Sequence, residues 1–268
     1  MTEKYSVGLL SLFKLKLENE LKSAIEEDKL TLYYQPIVDL NTGKLYSLES
    51  LVRWNHDELG FLPPSKFLPL AEESTLIVEL GNWVLNTACH QLRQWQEKGI
   101  LDDNITINVN VAGKQFETLD LLEKIFYTLE NTKLSPSNLR IEVTETIISQ
   151  HPNSVTKTLK KIQDLGVKIA IDDFGTGYSS LARLRNFPVN QIKIDKAFVK
   201  PLNNNPKDVK FLQGIITLCH NLDLEVVCEG IETEKQRKIL SKLKCNYGQG
   251  YLFTKPLSAD DFELWITQ

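Results

Sequence analysis

Seven side chains that could hold a cation or move a proton stand in, or at the end of, short β-rich runs of this chain: Glu49, Asn108, Glu142, Asp172, Asp173, Lys193 and Glu229. Side chains alternate across a strand, so within 49–54 Glu49, Leu51 and Arg53 share one face while Ser50, Val52 and Trp54 share the other. The same parity sets Gln191, Lys193 and Asp195 against Ile192 and Ile194, and Glu142 and Thr144 against Ile141 and Val143. Each run therefore has a charged face and an apolar face. Taken singly, every member has an ordinary explanation: Glu142 and Glu229 as solvated strand-end carboxylates, Asp172-Asp173-Phe174-Gly175 as a turn, Lys193 as a surface charge. Taken together they do not, because five carboxylates on inward faces are very costly to bury unless cations neutralise them.

Charge indicates how many cations. The five carboxylates contribute −5, Lys193 brings the set to −4, and two divalent cations would cancel that. All the candidate ligands are oxygen donors, which selects a hard cation, Mg²⁺ or Mn²⁺, over zinc. His56, His90, His151 and His220 show no metal spacing. Cys89-His90 and Cys219-His220 each fall near the end of an amphipathic helix, where packing and the C-terminal dipole account for them.

These side chains can converge only if the elements carrying them close around a common axis. Strand-like runs at 30–38, 46–54, 105–111, 139–145, 167–172, 191–195, 224–229 and, more weakly, 248–253 alternate with helical patterns at 76–97, 119–129, 154–165, 209–219, 234–243 and 259–266. That alternation predicts an α/β fold, a (β/α)8 TIM-type barrel, with polar strand faces turned inward and charges gathered at the C-terminal mouth. Only the turn-like Asn41-Thr42-Gly43 and its flanks separate the first two runs, which predicts an antiparallel hairpin there. An open doubly wound sheet would want a G-x-G-x-x-G turn, and the sequence has none.

Composition sets the remaining bounds. The 268 residues are 42% hydrophobic and 25% charged, with 13 Gly and 10 Pro, which excludes disordered and collagen-like classes. Lys plus Arg number 31 against 35 for Asp plus Glu, so the surface as a whole is no basic footprint for DNA, and an anionic substrate would need local positive groups. Cys89, Cys219, Cys228 and Cys245 lie far apart without C-x-x-C, which argues against a disulfide framework and fits a reducing cytoplasm. The apolar stretch 6–13 is too short for a signal peptide, and no run reaches the length of a membrane span. Residues 1–20 read as a charged, leucine-rich lead-in or a linker remnant from an upstream domain, and 21–268 as one domain.

Eight blocks occur in order: Tyr34-Gln35-Pro36-Ile37, Glu49-Ser50-Leu51-Val52-Arg53-Trp54, Ile107-Asn108-Val109-Asn110, Glu142-Val143-Thr144-Glu145, Asp172-Asp173-Phe174-Gly175-Thr176-Gly177-Tyr178-Ser179-Ser180, Lys193-Ile194-Asp195, Glu229-Gly230-Ile231-Glu232-Thr233 and Gln249-Gly250-Tyr251. With them the chain resembles the EAL-domain cyclic di-GMP phosphodiesterases from about residue 21 to 268. The resemblance implies that Glu49, Asn108, Glu142 and Asp172 hold one metal, that Asp173 supports a second, and that Glu229 is a further ligand at the metal-water site. It implies a general-base role for Lys193, with a fixed hydrogen-bond and charge partner to the water as the alternative, and places Gln249 nearby. Gln35, Leu51 and Arg53 resemble substrate contacts, and Glu232 resembles an anchor for the 173–180 loop, which shapes the second metal site and the dimer contact.

The implied reaction opens one phosphodiester of cyclic di-GMP to give linear pGpG, in a homodimer that an upstream sensory or regulatory domain would control. Two residues depart from the pattern. Ser50 replaces the Ala of the signature, by parity on the outward face, where it bears on packing more than chemistry. Asn110 stands where the family usually has Ser and shares a face with Asn108. A catalytically silent cyclic di-GMP receptor and a purely structural interaction module are the competing functions; members of the former kind have typically lost a metal ligand or the lysine, and here each of those positions is filled.

Overall fold

The protein is described from a computed structural model, which covers residues 2–27, 29–118, 120–150, 152–175, 184–185, 187–203 and 205–267. Its elements run α1 (Thr2–Glu26), β1 (Leu30–Asp39), β2 (Leu45–His56), β3 (Gly60–Leu62), α2 (Pro64–Glu73), α3 (Leu76–Glu97), β4 (Thr106–Asn110), α4 (Gly113–Glu117) and α5 (Leu121–Thr132). They continue with β5 (Leu139–Thr144), α6 (Glu145–Gln150), α7 (Pro152–Asp164), β6 (Lys168–Phe174), β7 (Gln191–Ile194), α8 (Lys196–Val199), α9 (Pro206–His220), β8 (Glu225–Cys228), α10 (Glu234–Lys242), β9 (Tyr247–Gly248) and α11 (Ala259–Ile266).

Eight strands close in the order β1-β2-β4-β5-β6-β7-β8-β9 and back to β1. The pairs from β2 through β9 are parallel, and β1 is antiparallel to both its neighbours. This is the expected α/β barrel with its antiparallel first pair. The β1–β2 turn forms because Asp39 Oδ1 accepts the N–H groups of Asn41 and Thr42 at 2.8 and 2.7 Å, while Gly43 takes φ +73°.

The two-faced strands resolve as their parity requires. Ile107, Val109, Ile141, Val143, Ile169, Ile171, Ile192 and Ile194 pack outward in the core beneath the helices, each contributing about 1.5–3 kcal/mol on burial. Their polar alternates turn inward. Helix α3 packs Leu80, Val84, Ala88, Leu92 and Trp95, spaced three and four apart, into the same core.

One expectation is corrected. The last barrel strand is only Tyr247–Gly248, so the run anticipated at 248–253 is mostly turn beyond it. There a Cβ on Gly250, at φ +157°, would collide with the backbone of Ile231, so glycine permits the close approach that ends the strand. The β3 flap and α2 were not anticipated, since three strand residues are too few to show a period and α2 carries a proline, Pro69, inside the helix. Helix α1 runs unbroken past residue 20, and its Leu17, Leu21 and Ala24 are buried in the core. All four cysteines are free and buried. Among the described residues no helix is long and apolar enough to cross a membrane.

Candidate active site

The inward residues expected to carry chemistry meet at the C-terminal end of the barrel. Lys193 Nζ, with only 1% of its side chain exposed, lies 2.7 Å from Glu142, 2.8 Å from Glu229, 3.2 Å from Asp172 and 3.4 Å from Glu49. Burial would lower its pKa, but these four carboxylates outweigh that and hold the ammonium well above its ordinary value. Glu142 and Glu229 are pushed up to about 8, by burial first and then by neighbouring carboxylates, against the pull of Lys193. Glu49 behaves in the opposite way. Burial would raise it, yet Lys193 and the amides of Gln249 and Asn110 keep it below the ordinary carboxylate range.

Glu49, Glu142 and Asp172 each offer an oxygen within 4.8 Å of the others, and Asp172, Asp173 and Glu229 form a second such group among the described residues. Asp172 belongs to both. Asn108, wholly buried on β4, donates from Nδ2 to Glu142 Oε1 at 2.7 Å, while its Oδ1 has no hydrogen-bond partner. An orphaned buried carbonyl oxygen beside two oxygen-only triads is the donor set a hard divalent cation takes, so the residues present fit the metal that the sequence implied.

Asp172 and Asp173 are adjacent, and alternation alone would send them to opposite faces of β6. The ladder solves this with an extra residue: Ile171 pairs with Ile192 but Phe174 with Ile194, a register shift, and Asp173 takes φ +53°. This bulge brings both carboxylates to the Glu229 side of the mouth. A left-handed backbone at a non-glycine residue costs on the order of 1 kcal/mol or more and marks a site held by its surroundings.

Gln249, just past β9, donates from Nε2 to Glu49 Oε2 at 2.7 Å and to Gln35 Oε1 at 3.0 Å. Gln35 in turn donates to the carbonyl of Thr254 at 3.2 Å. Arg53 lies over the Tyr33 ring at 5.5 Å and donates to the Val52 carbonyl. Leu51 lines both openings at the mouth: a cavity of about 590 Å³ running from Glu142, Asp172 and Asp173 toward the apolar side chains of α2 and α3, and one of about 280 Å³ bounded by Gln35, Glu49, Glu229 and Gln249. Glu232 is exposed at the rim of the smaller opening, and the loop beyond Gly175 that it was expected to anchor lies outside the described residues.

Sequence reasoning gave no role to Glu145, although its block was noted. Buried at the start of α6, it accepts the N–H of Gly175 through Oε2 at 2.9 Å and so fixes the segment just after the bulge. The available signal was its place three residues after Glu142, at a strand-to-helix boundary. The hydroxyl of Ser50, expected to bear on packing more than chemistry, donates to the carbonyl of Asn108 at 2.8 Å. Asn110 reaches Glu49 Oε1 at 2.9 Å.

A closed α/β barrel with an oxygen-only acidic mouth and one buried lysine defines a class, a barrel protein equipped for divalent cations. Within it the EAL domain family matches residues 18–256, and the chain belongs to that family. It is 40% identical over 247 residues to the bifunctional diguanylate cyclase/cyclic di-GMP phosphodiesterase MucR of Pseudomonas aeruginosa, covering 92% of this chain and 36% of that protein. It is 38% identical over 244 residues to the cyclic di-GMP phosphodiesterase NbdA of the same species, covering 91% of this chain and 31% of that protein. The solved structure of the PaMucR phosphodiesterase in its c-di-GMP complex superposes with a TM-score of 0.87 at 38% identity, covering 92% of this chain and 99% of that one. The chain spans about a third of the length of the curated relatives it matches.

Proposed function

We propose that the chain is a metal-dependent phosphodiesterase that hydrolyses cyclic di-GMP to linear 5′-pGpG in bacterial second-messenger signalling. The observation that carries this reading is the complete donor set: two oxygen triads sharing Asp172, with Asn108 Oδ1 unpaired and Lys193 among the carboxylates. Glu49, Asn108, Glu142 and Asp172 would hold one divalent cation, Mg²⁺ or Mn²⁺, and Asp173 and Glu229, with Asp172 shared, a second. Such a pair, when bound, supplies positive charge to the phosphoryl oxygens and acidifies the attacking water.

The chain's own residues do the rest. Lys193, fixed among four carboxylates, acts on the water as its general base or, in the milder role, as a fixed hydrogen-bond and charge partner. Gln249 holds Glu49 and ties it to Gln35 on β1. Arg53 and Gln35 are the substrate contacts at the phosphate end, Leu51 is a further substrate contact, and Glu232 steadies the loop after β6. We place the protein in the cytoplasm as a homodimer, with α1 up to residue 20 as the lead-in from a regulatory domain and 21–268 as the catalytic domain.

The test is to incubate the purified chain with cyclic di-GMP and Mg²⁺ or Mn²⁺, follow pGpG by chromatography, and run Glu49→Ala beside it with a binding assay. Metal-dependent product that vanishes in the variant supports the enzyme. Binding without product would turn the reading to a silent receptor, and neither binding nor product would overturn the substrate.

A further inference from the structure

Ser50 and Asn110 reach across the β2–β4 ladder toward each other's strand. Asn110 on β4 donates from Nδ2 to Glu49 Oε1 on β2 at 2.9 Å, and Ser50 on β2 donates from Oγ to the main-chain carbonyl of Asn108 on β4 at 2.8 Å. The bonds run in opposite directions between the same two strands, one ending on the Glu49 carboxylate and the other on the main chain of Asn108. Glu49 and Asn108 are themselves register partners in that ladder.

Glu49 is held by a neutral amide on each of its oxygens. Its Oε1 takes the Asn110 amide and its Oε2 the Gln249 amide at 2.7 Å, with Lys193 farther off at 3.4 Å. Glu142 takes the Asn108 amide on Oε1 and the Lys193 ammonium on Oε2, both at 2.7 Å, and Glu229 rests on Lys193 at 2.8 Å. Each carboxylate oxygen has about two lone-pair sites, so one amide on each oxygen fixes the plane of the group and leaves each oxygen able to take a cation. A serine at 110 ends one atom beyond Cβ, too short to span the distance that the asparagine amide covers.

We propose that Ser50 and Asn110 form a reciprocal bracket that sets the relative orientation of Glu49 and Asn108 for a divalent cation, making both of them positioning residues of the metal site. The inference rests on the metal-site reading above. Asn110 carries the larger share, because its bond reaches the carboxylate itself, whereas Ser50 acts through the backbone.

The test is the Mn²⁺ affinity of the whole chain, by calorimetry and by electron paramagnetic resonance of unbound Mn²⁺, for wild type, Asn110→Ser, Ser50→Ala, the double variant and Glu49→Gln, with melting temperatures recorded for each. Asn110→Ser is expected to weaken binding by about 10–100-fold, the usual cost of losing a group that orients a ligand, and Ser50→Ala by a smaller factor. The double variant should lose less than the product of the two, since both loosen one pair. Asn110→Gln, which keeps the donor, should recover part of the loss, a rescue that a merely structural role would not produce. Wild-type affinity in Asn110→Ser, or independent losses that multiply, would overturn the bracket. If the wild-type chain binds no Mn²⁺, it is the metal-site reading that fails.

Discussion

The two ends of the barrel interior are both polar, yet they are built on opposite principles. At the floor, Tyr46 donates to Glu225 Oε2 at 2.6 Å and accepts from Arg140 Nη2 at 2.8 Å, Tyr247 donates to Glu225 Oε1 at 3.1 Å, and the two tyrosine rings stack at 3.5 Å. One acid meets one guanidinium, and aromatic rings close the layer. At the mouth, four carboxylates crowd one ammonium. The floor is neutralised from within. The mouth is left acidic, and the difference separates a plug from a site that needs cations from outside.

Removing Lys193 should break this contrast hardest. With its cation gone, Lys193→Met leaves buried like charges facing one another, and the chelator-treated protein should lose about 3–5 kcal/mol in urea unfolding. Mn²⁺ should return part of that stability, whereas a floor variant should gain nothing by it. Loss of stability that Mn²⁺ leaves untouched would mean that the mouth is merely structural.

The next effect is one of sign. Glu142 and Glu229 titrate near 8 in the folded chain, against an ordinary value of 4.5. Between those values the native protein keeps protons that the unfolded chain has released, so stability without metal should fall as pH rises from about 4.5 to about 8. Glu142→Gln cannot ionise. In chelator it should therefore match the wild type near pH 5 and melt higher at pH 9, while losing Mn²⁺ binding. Melting curves across that range check both halves, and a wild-type stability that rises through the window would contradict them.

Floor variants sharpen the comparison with smaller effects. Arg140→Met removes a buried guanidinium whose acid partner is 38% exposed, so after solvent screening the cost should be about 1–3 kcal/mol, with Mn²⁺ affinity unchanged. Tyr46→Phe should cost about 1 kcal/mol by the same unfolding measurement and likewise leave the metal site alone.

Much of this was legible in the sequence because strand parity is a strong signal. The alternation around Glu142 and Lys193 put charge inside and isoleucine or valine outside, and the short link after Asp39 foretold the antiparallel pair. Parity could not foresee the bulge that lets Asp172 and Asp173 share a side, since a left-handed Asp173 is imposed by the ladder rather than by its neighbours in sequence. Gln249 was identified as a site residue while its strand was misplaced, because a two-residue strand carries no period. The contact of Glu145 with Gly175 spans 30 positions and leaves no local trace. Ser50 is the sharpest lesson: its parity was right, yet its hydroxyl reaches back to the main chain, where side-chain parity has no bearing.

The acidic mouth as a centre for two cations is tested most directly by counting them. Electron paramagnetic resonance on the purified chain titrated with Mn²⁺ should show two ions per chain with the signature of a spin-coupled pair, and Asp172→Asn, which alters the residue common to both triads, should abolish the coupling. Uncoupled Mn²⁺, a single ion per chain, or coupling that survives Asp172→Asn would contradict the account.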